Sequence, residues 1–215
     1  PNPDELALGT VVVLPLHAAP SHRAPGDIDP AALAQLGVTL DALLAHPNVT
    51  ATLVPTPEAL AAAVDADPAA AGRLRQVVSG RTVVVTPWSR LDPVAWRRDG
   101  LAAELLLQIA AGQATVADVT GVEPDTTTAV IGDDGGLAAV DVAVDAGART
   151  LVIPEGDLEP VDEEAFPVTL TRPFHVEAGD RTVTALQADA GLAARVGATG
   201  DPVLDAHRLL ADLAV

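Results

Sequence analysis

The sequence has 215 residues, a formal net charge of -18, 49% hydrophobic residues and no cysteine. This length and apolar content suit one α/β domain or two small ones and exclude a disordered chain. All of the 12 basic side chains are arginines, and the strong negative charge would repel a phosphate backbone, so we expect no nucleic acid partner. The lack of cysteine excludes disulfides, thiolate zinc sites and cysteine nucleophiles.

Strand-like and helix-like runs alternate along the chain, which predicts a parallel sheet with helices outside it. The first helix is predicted to begin at Asp29-Pro30, and the second helical run to break at Pro68. Residues 88–100 are predicted to form a long loop. The predicted strands cover 9–16, 49–55, 81–87, 126–132 and 149–154, and the helical runs cover 30–47, 57–80, 101–112, 136–148 and 201–215.

The rhythm changes to a period of two residues at 166–188, which predicts an antiparallel hairpin turning at 178–180. Its second arm, 181–189, would supply a sixth core strand. A complete or incomplete parallel (β/α) barrel and an open doubly wound sheet both fit this order. Neither G-x-G-x-x-G nor a Walker A motif is present, so nucleotide binding on an open sheet is not supported. We expect one (β/α) barrel-like domain over 1–215, with the hairpin as an insertion at about 166–188.

Polar side chains follow most of the predicted strands, at the end where α/β proteins of both architectures bind ligands. Two carboxylates about 5–10 Å apart can cleave a glycosidic bond. Asp133 and Glu155 follow neighbouring strands, which lie about 4.8 Å apart in a sheet. We therefore take Asp133, Glu155 and Asp189 as candidate catalytic residues. The candidate ligand-binding residues are His17, His22, Arg23, Trp88 and Arg90.

The same residues also have structural interpretations. Asp134, before two glycines and a helical run, suits a helix N-cap, which leaves Asp133 free for a ligand. Trp88 could stack on a sugar or pack beneath a loop. His17 and His22 could bind a metal with Asp133 or Asp189, but H-E-x-x-H is not present, and we expect neither a metal nor a cofactor. There is also no G-x-S-x-G nucleophile elbow. Of the remaining histidines, His46 is expected at the surface, at the C-terminal end of a helix. His175 and His207 are expected to be structural.

Several segments, in this order, carry a family resemblance: "VVVLPLHAAPSHR", "VTATLVPTPEAL", "VVVTPWSRLDPVAWRRDG" and "TTTAVIGDDGGLAAVDVAVDAGARTLVI". The sequence resembles the extracytoplasmic barrel domain of an uncharacterised family of large, membrane-anchored actinobacterial proteins. That family is in turn similar to the glycoside hydrolase/deacetylase (β/α)7 barrels. The resemblance implies a cell-surface location, the remainder of a larger membrane-anchored chain, and a cell-wall glycan or envelope protein as partner.

The motifs depart from those of active relatives. "DDG" closes the fourth strand here, whereas the deacetylase motif T-F-D-D-G closes the first, and "PLHAAP" lacks one histidine of H-x-H-x-P. The resemblance therefore implies a non-catalytic or degenerate domain that binds a glycan or a partner protein. The alternative is a glycan-active enzyme, either a glycoside hydrolase or a metal-dependent deacetylase. Because the sequence begins "PNPDELALG" without methionine, we expect an excised segment of a longer protein.

Overall fold

A computed structural model describes residues 12–16, 29–132, 136–154, 172–196 and 199–213. The chain divides into two compact units, residues 1–126 and 127–215. Each unit combines a β-sheet with helices, and both sheets contain parallel strands. The predicted α/β class with parallel sheets is therefore confirmed.

The first unit contains a three-stranded parallel sheet in the order β1-β2-β3. Asp125 adds to it in parallel, because its N–H donates to the carbonyl of Val83 (2.7 Å) and its carbonyl accepts from the N–H of Val85 (3.0 Å). Burial alternates along these strands: Leu16, Leu53 and Val83 are buried, Leu14 and Val54 are partly exposed, and Pro15 is exposed. The continuous apolar runs predict burial on both faces instead. The strands are β1 (Val13–Leu16), β2 (Thr52–Pro55) and β3 (Thr82–Val83).

Helices of the first unit begin where the sequence places caps. The carboxylate of Asp29 accepts hydrogen bonds from the N–H groups of Ala31 (2.7 Å) and Ala32 (3.3 Å), which confirms the predicted N-cap. The predicted break at Pro68 separates the second and third helices. A short helix, unlike the predicted loop, follows Asp92. The helices are α1 (Pro30–Ala45), α2 (Pro57–Ala66), α3 (Ala69–Val78), α4 (Pro93–Arg98) and α5 (Ala102–Thr120).

Arg81 is buried at the start of β3 and binds four backbone carbonyls. Nε donates to Val49 (3.0 Å), Nη1 to Val77 (2.6 Å), and Nη2 to Leu43 (3.0 Å) and His46 (2.9 Å). Three of these carbonyls lie at the ends of α1 and α3, where the last-turn carbonyls lack helical partners and carry negative partial charge. The guanidinium thus joins two helix ends to the sheet.

The second unit contains a four-stranded sheet in the order β4-β5-β7-β6. β4, β5 and β7 are parallel, and β6 pairs antiparallel with β7. The elements are β4 (Thr128–Val130), α6 (Gly136–Asp145), β5 (Thr150–Ile153), β6 (Phe174–Ala178), β7 (Arg181–Gln187), α7 (Ala190–Ala193) and α8 (Pro202–Leu213).

The antiparallel hairpin predicted near the C-terminus is confirmed between residues 174 and 187. Its two-residue loop begins with Gly179, whose φ of 63° is the conformation that a type II′ turn needs at this position. As predicted, the second arm is a core strand, because β7 pairs with β5. The start of the predicted hairpin, 166–171, lies outside the described residues.

The hydrogen bonds of the described strands define two sheets, so the complete or incomplete (β/α) barrel stays a prediction. Among the described residues, no helix combines the length and the apolar character that crossing a membrane requires.

Candidate ligand-binding site

The structure describes three of the candidate site residues, Trp88, Arg90 and Asp189. The first two belong to the first unit and the third to the second unit. The other candidates lie outside the described residues, so their places remain predictions: His17, His22, Arg23, Asp133 and Glu155, together with the predicted cap Asp134.

Parallel pairing brings the carboxyl ends of β1 and β2 to one edge of the first sheet. Leu16 pairs with Pro55, and the N–H of Thr56 donates to the carbonyl of Leu16 at 2.9 Å. The chain that leaves β3 reaches the same edge, because the hydroxyl of Thr86 donates to the carbonyl of Pro55 at 2.6 Å. This is the edge where parallel α/β sheets bind ligands.

Trp88 is fixed at this edge through both of its backbone polar groups. Its carbonyl accepts the N–H of Glu58, in the first turn of α2, at 2.9 Å. Its own N–H donates to the carbonyl of Gln108 in α5, also at 2.9 Å. The backbone of Trp88 therefore bridges two helices, and the residue is partly exposed.

Gly112 allows this bridge to form. A Cβ at this position would lie 2.1 Å from the carbonyl oxygen of Thr86 and 3.1 Å from the backbone nitrogen of Trp88. Both are backbone atoms, which cannot move aside as a flexible side chain can. The segment from Thr86 to Trp88 thus crosses α5 at a place where only glycine fits.

We call the group formed by Thr56, Glu58, Trp88 and Gln108 the Trp88 site. All four residues are partly exposed. The hydroxyl of Thr56 makes no helix-capping hydrogen bond, and the buried Oε1 of Gln108 has no hydrogen-bond donor. A partly exposed aromatic residue whose backbone is bound to the helices that carry these polar side chains is a candidate surface for a polyhydroxylated ligand.

The N-terminus of α2, within the Trp88 site, does not offer the free N–H groups that bind anions at many helix ends. Pro57 has no N–H. The N–H of Glu58 is bound to Trp88, and those of Ala59 and Leu60 contact the carbonyl of Thr56 at 3.0 and 3.2 Å. The site therefore favours a neutral ligand over a phosphate.

Two strand-end carboxylates serve as helix caps. Asp92, after β3, accepts from the N–H groups of Val94 (3.0 Å) and Ala95 (2.9 Å) at the start of α4. Asp189, the candidate catalytic residue after β7, accepts from the N–H of Leu192 (2.8 Å) at the start of α7. Arg90 is exposed in the segment between β3 and α4.

The described residues contain no group of three or more histidine and carboxylate side chains placed to hold a metal ion. His46 is exposed at the C-cap of α1, in agreement with its predicted role. His175 and His207 are exposed on β6 and α8. The metal interpretation of His17 and His22 concerns residues outside the described ranges.

Sequence reasoning did not find Gln108 or Gly112. Both lie within the helical run "LLLQIAAG", in which Gln108 is the one polar residue. Helical periodicity predicts the α5 helix, but it does not show which segment crosses it. The close approach is visible only in three dimensions.

Comparison with solved structures identifies a similar fold. The chain matches the 4-alpha-glucanotransferase from Thermococcus litoralis with a TM-score of 0.63 and 15% sequence identity. The match covers 85% of this chain and 28% of the glucanotransferase. No protein-family model and no curated protein matches the sequence. The structural likeness supports a distant glycoside hydrolase-like fold.

Proposed function

We propose that the chain is a barrel-like domain of the glycoside hydrolase/deacetylase type that binds a glycan at the Trp88 site without cleaving it. The observation that carries this proposal is the rigid support of Trp88. Its backbone is hydrogen-bonded to α2 and α5 at the carboxyl edge of the first sheet. A backbone held in place before binding loses little conformational entropy when a sugar stacks on the ring that it carries.

Two strand-end carboxylates have structural roles, and one of them, Asp189, is a candidate catalytic residue. Hydrolysis of a glycoside requires a pair of carboxyl groups across the scissile bond. Asp92 and Asp189 each accept hydrogen bonds from a helix N-terminus, where they stabilise the fold. Both are therefore committed to structural contacts.

The second candidate function is catalysis on a glycan by Asp133 and Glu155. It is favoured by the fold likeness to a glucanotransferase, which is an enzyme by its name. The two functions differ in a measurable way, because an enzyme produces new reducing ends or transfer products from the glycan and a binding domain leaves it intact.

The two tryptophans of the chain allow a direct test of binding. The variant Trp96→Phe leaves Trp88 as the sole tryptophan, so a change in its fluorescence reports a ligand at the site. The first probe is maltoheptaose, chosen from the name of the structural neighbour, and a fragment of cell-wall glycan is the second. We expect saturable fluorescence changes in the Trp96→Phe variant and intact glycan after incubation.

Trp88→Phe is the matched variant, since it keeps an aromatic ring but removes the larger indole. Calorimetric titration should show weaker glycan binding for Trp88→Phe than for Trp96→Phe. Equal affinities of the two variants would show that the glycan binds outside the Trp88 site. New reducing ends that disappear in Asp133→Asn or Glu155→Gln would establish the enzymatic alternative.

We also propose that the domain belongs to a larger membrane-anchored protein at the cell surface, with a cell-wall glycan or an envelope protein as partner. The support is the sequence resemblance. In intact cells that produce the full-length protein, an added protease should digest this domain. Protection until the cells are lysed would contradict an extracytoplasmic location.

A further inference from the structure

The side-chain amide of Gln108 has no assigned role in the fold. Its Oε1 is buried and lacks a hydrogen-bond donor, although the residue as a whole is partly exposed. Buried amide oxygens are satisfied in the great majority of cases, because burial without a donor costs free energy. A ligand is one partner that would satisfy such a group. Because the oxygen itself has almost no exposed surface, the side chain has to turn outward to meet a ligand.

The position of Gln108 indicates where that partner binds. Its carbonyl accepts the N–H of Trp88 at 2.9 Å. Gln108 also lies one helical turn before Gly112, and residues four apart share one face of a helix. The backbone of Thr86 to Trp88 packs on α5 at Gly112. The amide therefore originates from the face of α5 that supports Trp88.

We propose that Gln108 is the polar specificity residue of the Trp88 site and hydrogen-bonds a hydroxyl of a neutral glycan whose ring stacks on Trp88. This inference rests on the proposed function. A primary amide both donates and accepts, as a sugar hydroxyl does. An anionic glycan would gain no hydrogen bonds from the start of α2, because the N–H groups there are already bound within the protein.

The inference predicts opposite effects on affinity and stability. Gln108→Met has a similar length and removes the unpaired oxygen. The variant should bind maltoheptaose about tenfold more weakly, as expected for one lost hydrogen bond. It should also raise the melting temperature by roughly 2–4 °C, since the buried unsatisfied group is gone. A residue that only supports the fold would lower the melting temperature when it is replaced.

The experiment measures the affinity for maltoheptaose by Trp88 fluorescence in the Trp96→Phe background and the melting temperature by circular dichroism. Gln76→Met, an exposed glutamine on α3, is the control and should leave both values unchanged. The expected result is a lower affinity and a higher melting temperature for Gln108→Met alone.

The failures of the two proposals are distinguishable. If Trp88→Phe weakens binding and Gln108→Met does not, the role of Gln108 is wrong and the proposed function stands. A lower melting temperature or an unfolded Gln108→Met protein would also overturn the inference, because the amide would then support the fold. If the Trp96→Phe protein binds neither maltoheptaose nor cell-wall glycan, both proposals are wrong.

Discussion

Replacing Gly112 by alanine tests whether the approach of Thr86 and Trp88 to α5 is as close as the structure indicates. In a helix interior, alanine is ordinarily more stable than glycine by about 0.5–1 kcal/mol. At Gly112, however, the added Cβ would lie 2.1 Å from the carbonyl oxygen of Thr86. The crossing segment would have to move by more than an ångström to reach ordinary contact.

That movement has two costs. Forcing an extra methyl group into a packed site costs about 1–3 kcal/mol. It also strains the hydrogen bonds that Trp88 makes to Glu58 and Gln108, each of which contributes about 0.5–1.5 kcal/mol. The helix preference for alanine offsets only part of these two costs. We therefore expect Gly112→Ala to lower the free energy of unfolding by about 2–4 kcal/mol.

The assay is urea unfolding followed by circular dichroism, with Gly72→Ala as the matched control. Gly72 lies within α3, is exposed, and has no atom within 4 Å of an added Cβ. The control should gain about 0.5–1 kcal/mol. In the Trp96→Phe background, Trp88 emission should shift in Gly112→Ala and stay constant in Gly72→Ala. If both variants are stabilised alike, the crossing at Gly112 is wrong.

Three further predictions concern stability. Arg81→Lys should lower the free energy of unfolding by about 2–4 kcal/mol in urea melts, because one ammonium cannot replace the guanidinium that binds four carbonyls. The control Arg98→Lys, in an exposed pair with Asp99, should change the free energy of unfolding by less than about 0.5 kcal/mol. Equal losses in the two variants would show that the contacts of Arg81 with the four carbonyls do not stabilise the fold. Asp189→Ala should cost about 0.5–2 kcal/mol in thermal melts while Asp189→Asn retains stability, since asparagine also caps helices. Loss of glycan turnover in a stable Asp189→Asn would instead show a catalytic role. Asp134→Ala should cost about 0.5–2 kcal/mol as a lost cap, whereas Asp133→Ala should spare the melting temperature and weaken glycan binding. If Asp133→Ala lowers the stability and Asp134→Ala only weakens glycan binding, Asp133 is the cap and Asp134 is the ligand-binding residue.

Local sequence signals predicted much of the fold because they reflect local physics. Asp29-Pro30 marks a helix start through the cap and the fixed φ of proline, and Pro68 separates two helices because it has no N–H. Asp92-Pro93 carries the same signal as Asp29-Pro30, yet the segment was predicted as a loop because α4 is only one and a half turns long. Short helices give little periodicity to detect.

The candidate site was less predictable because it depends on contacts between distant segments. The rule that ligands bind at the carboxyl ends of parallel strands selected Trp88, and the structure places its backbone at that edge of the first sheet. Its role in binding stays a prediction. The same rule selected Asp189, whose carboxylate caps α7, because strand ends and helix starts both favour aspartate. Gln108 and Gly112 gave no signal, since their roles arise where residues 86–88 cross α5.

The central claim, that an intact glycan binds at the Trp88 site, is tested most directly by a crystal structure of the chain soaked with cell-wall oligosaccharides and Zn²⁺. We predict density for an uncleaved oligosaccharide with one ring against Trp88 and a hydroxyl within hydrogen-bond distance of Gln108. A cleaved oligosaccharide between Asp133 and Glu155, or Zn²⁺ bound by His17 and His22 beside the glycan, would contradict the claim and establish a catalytic site.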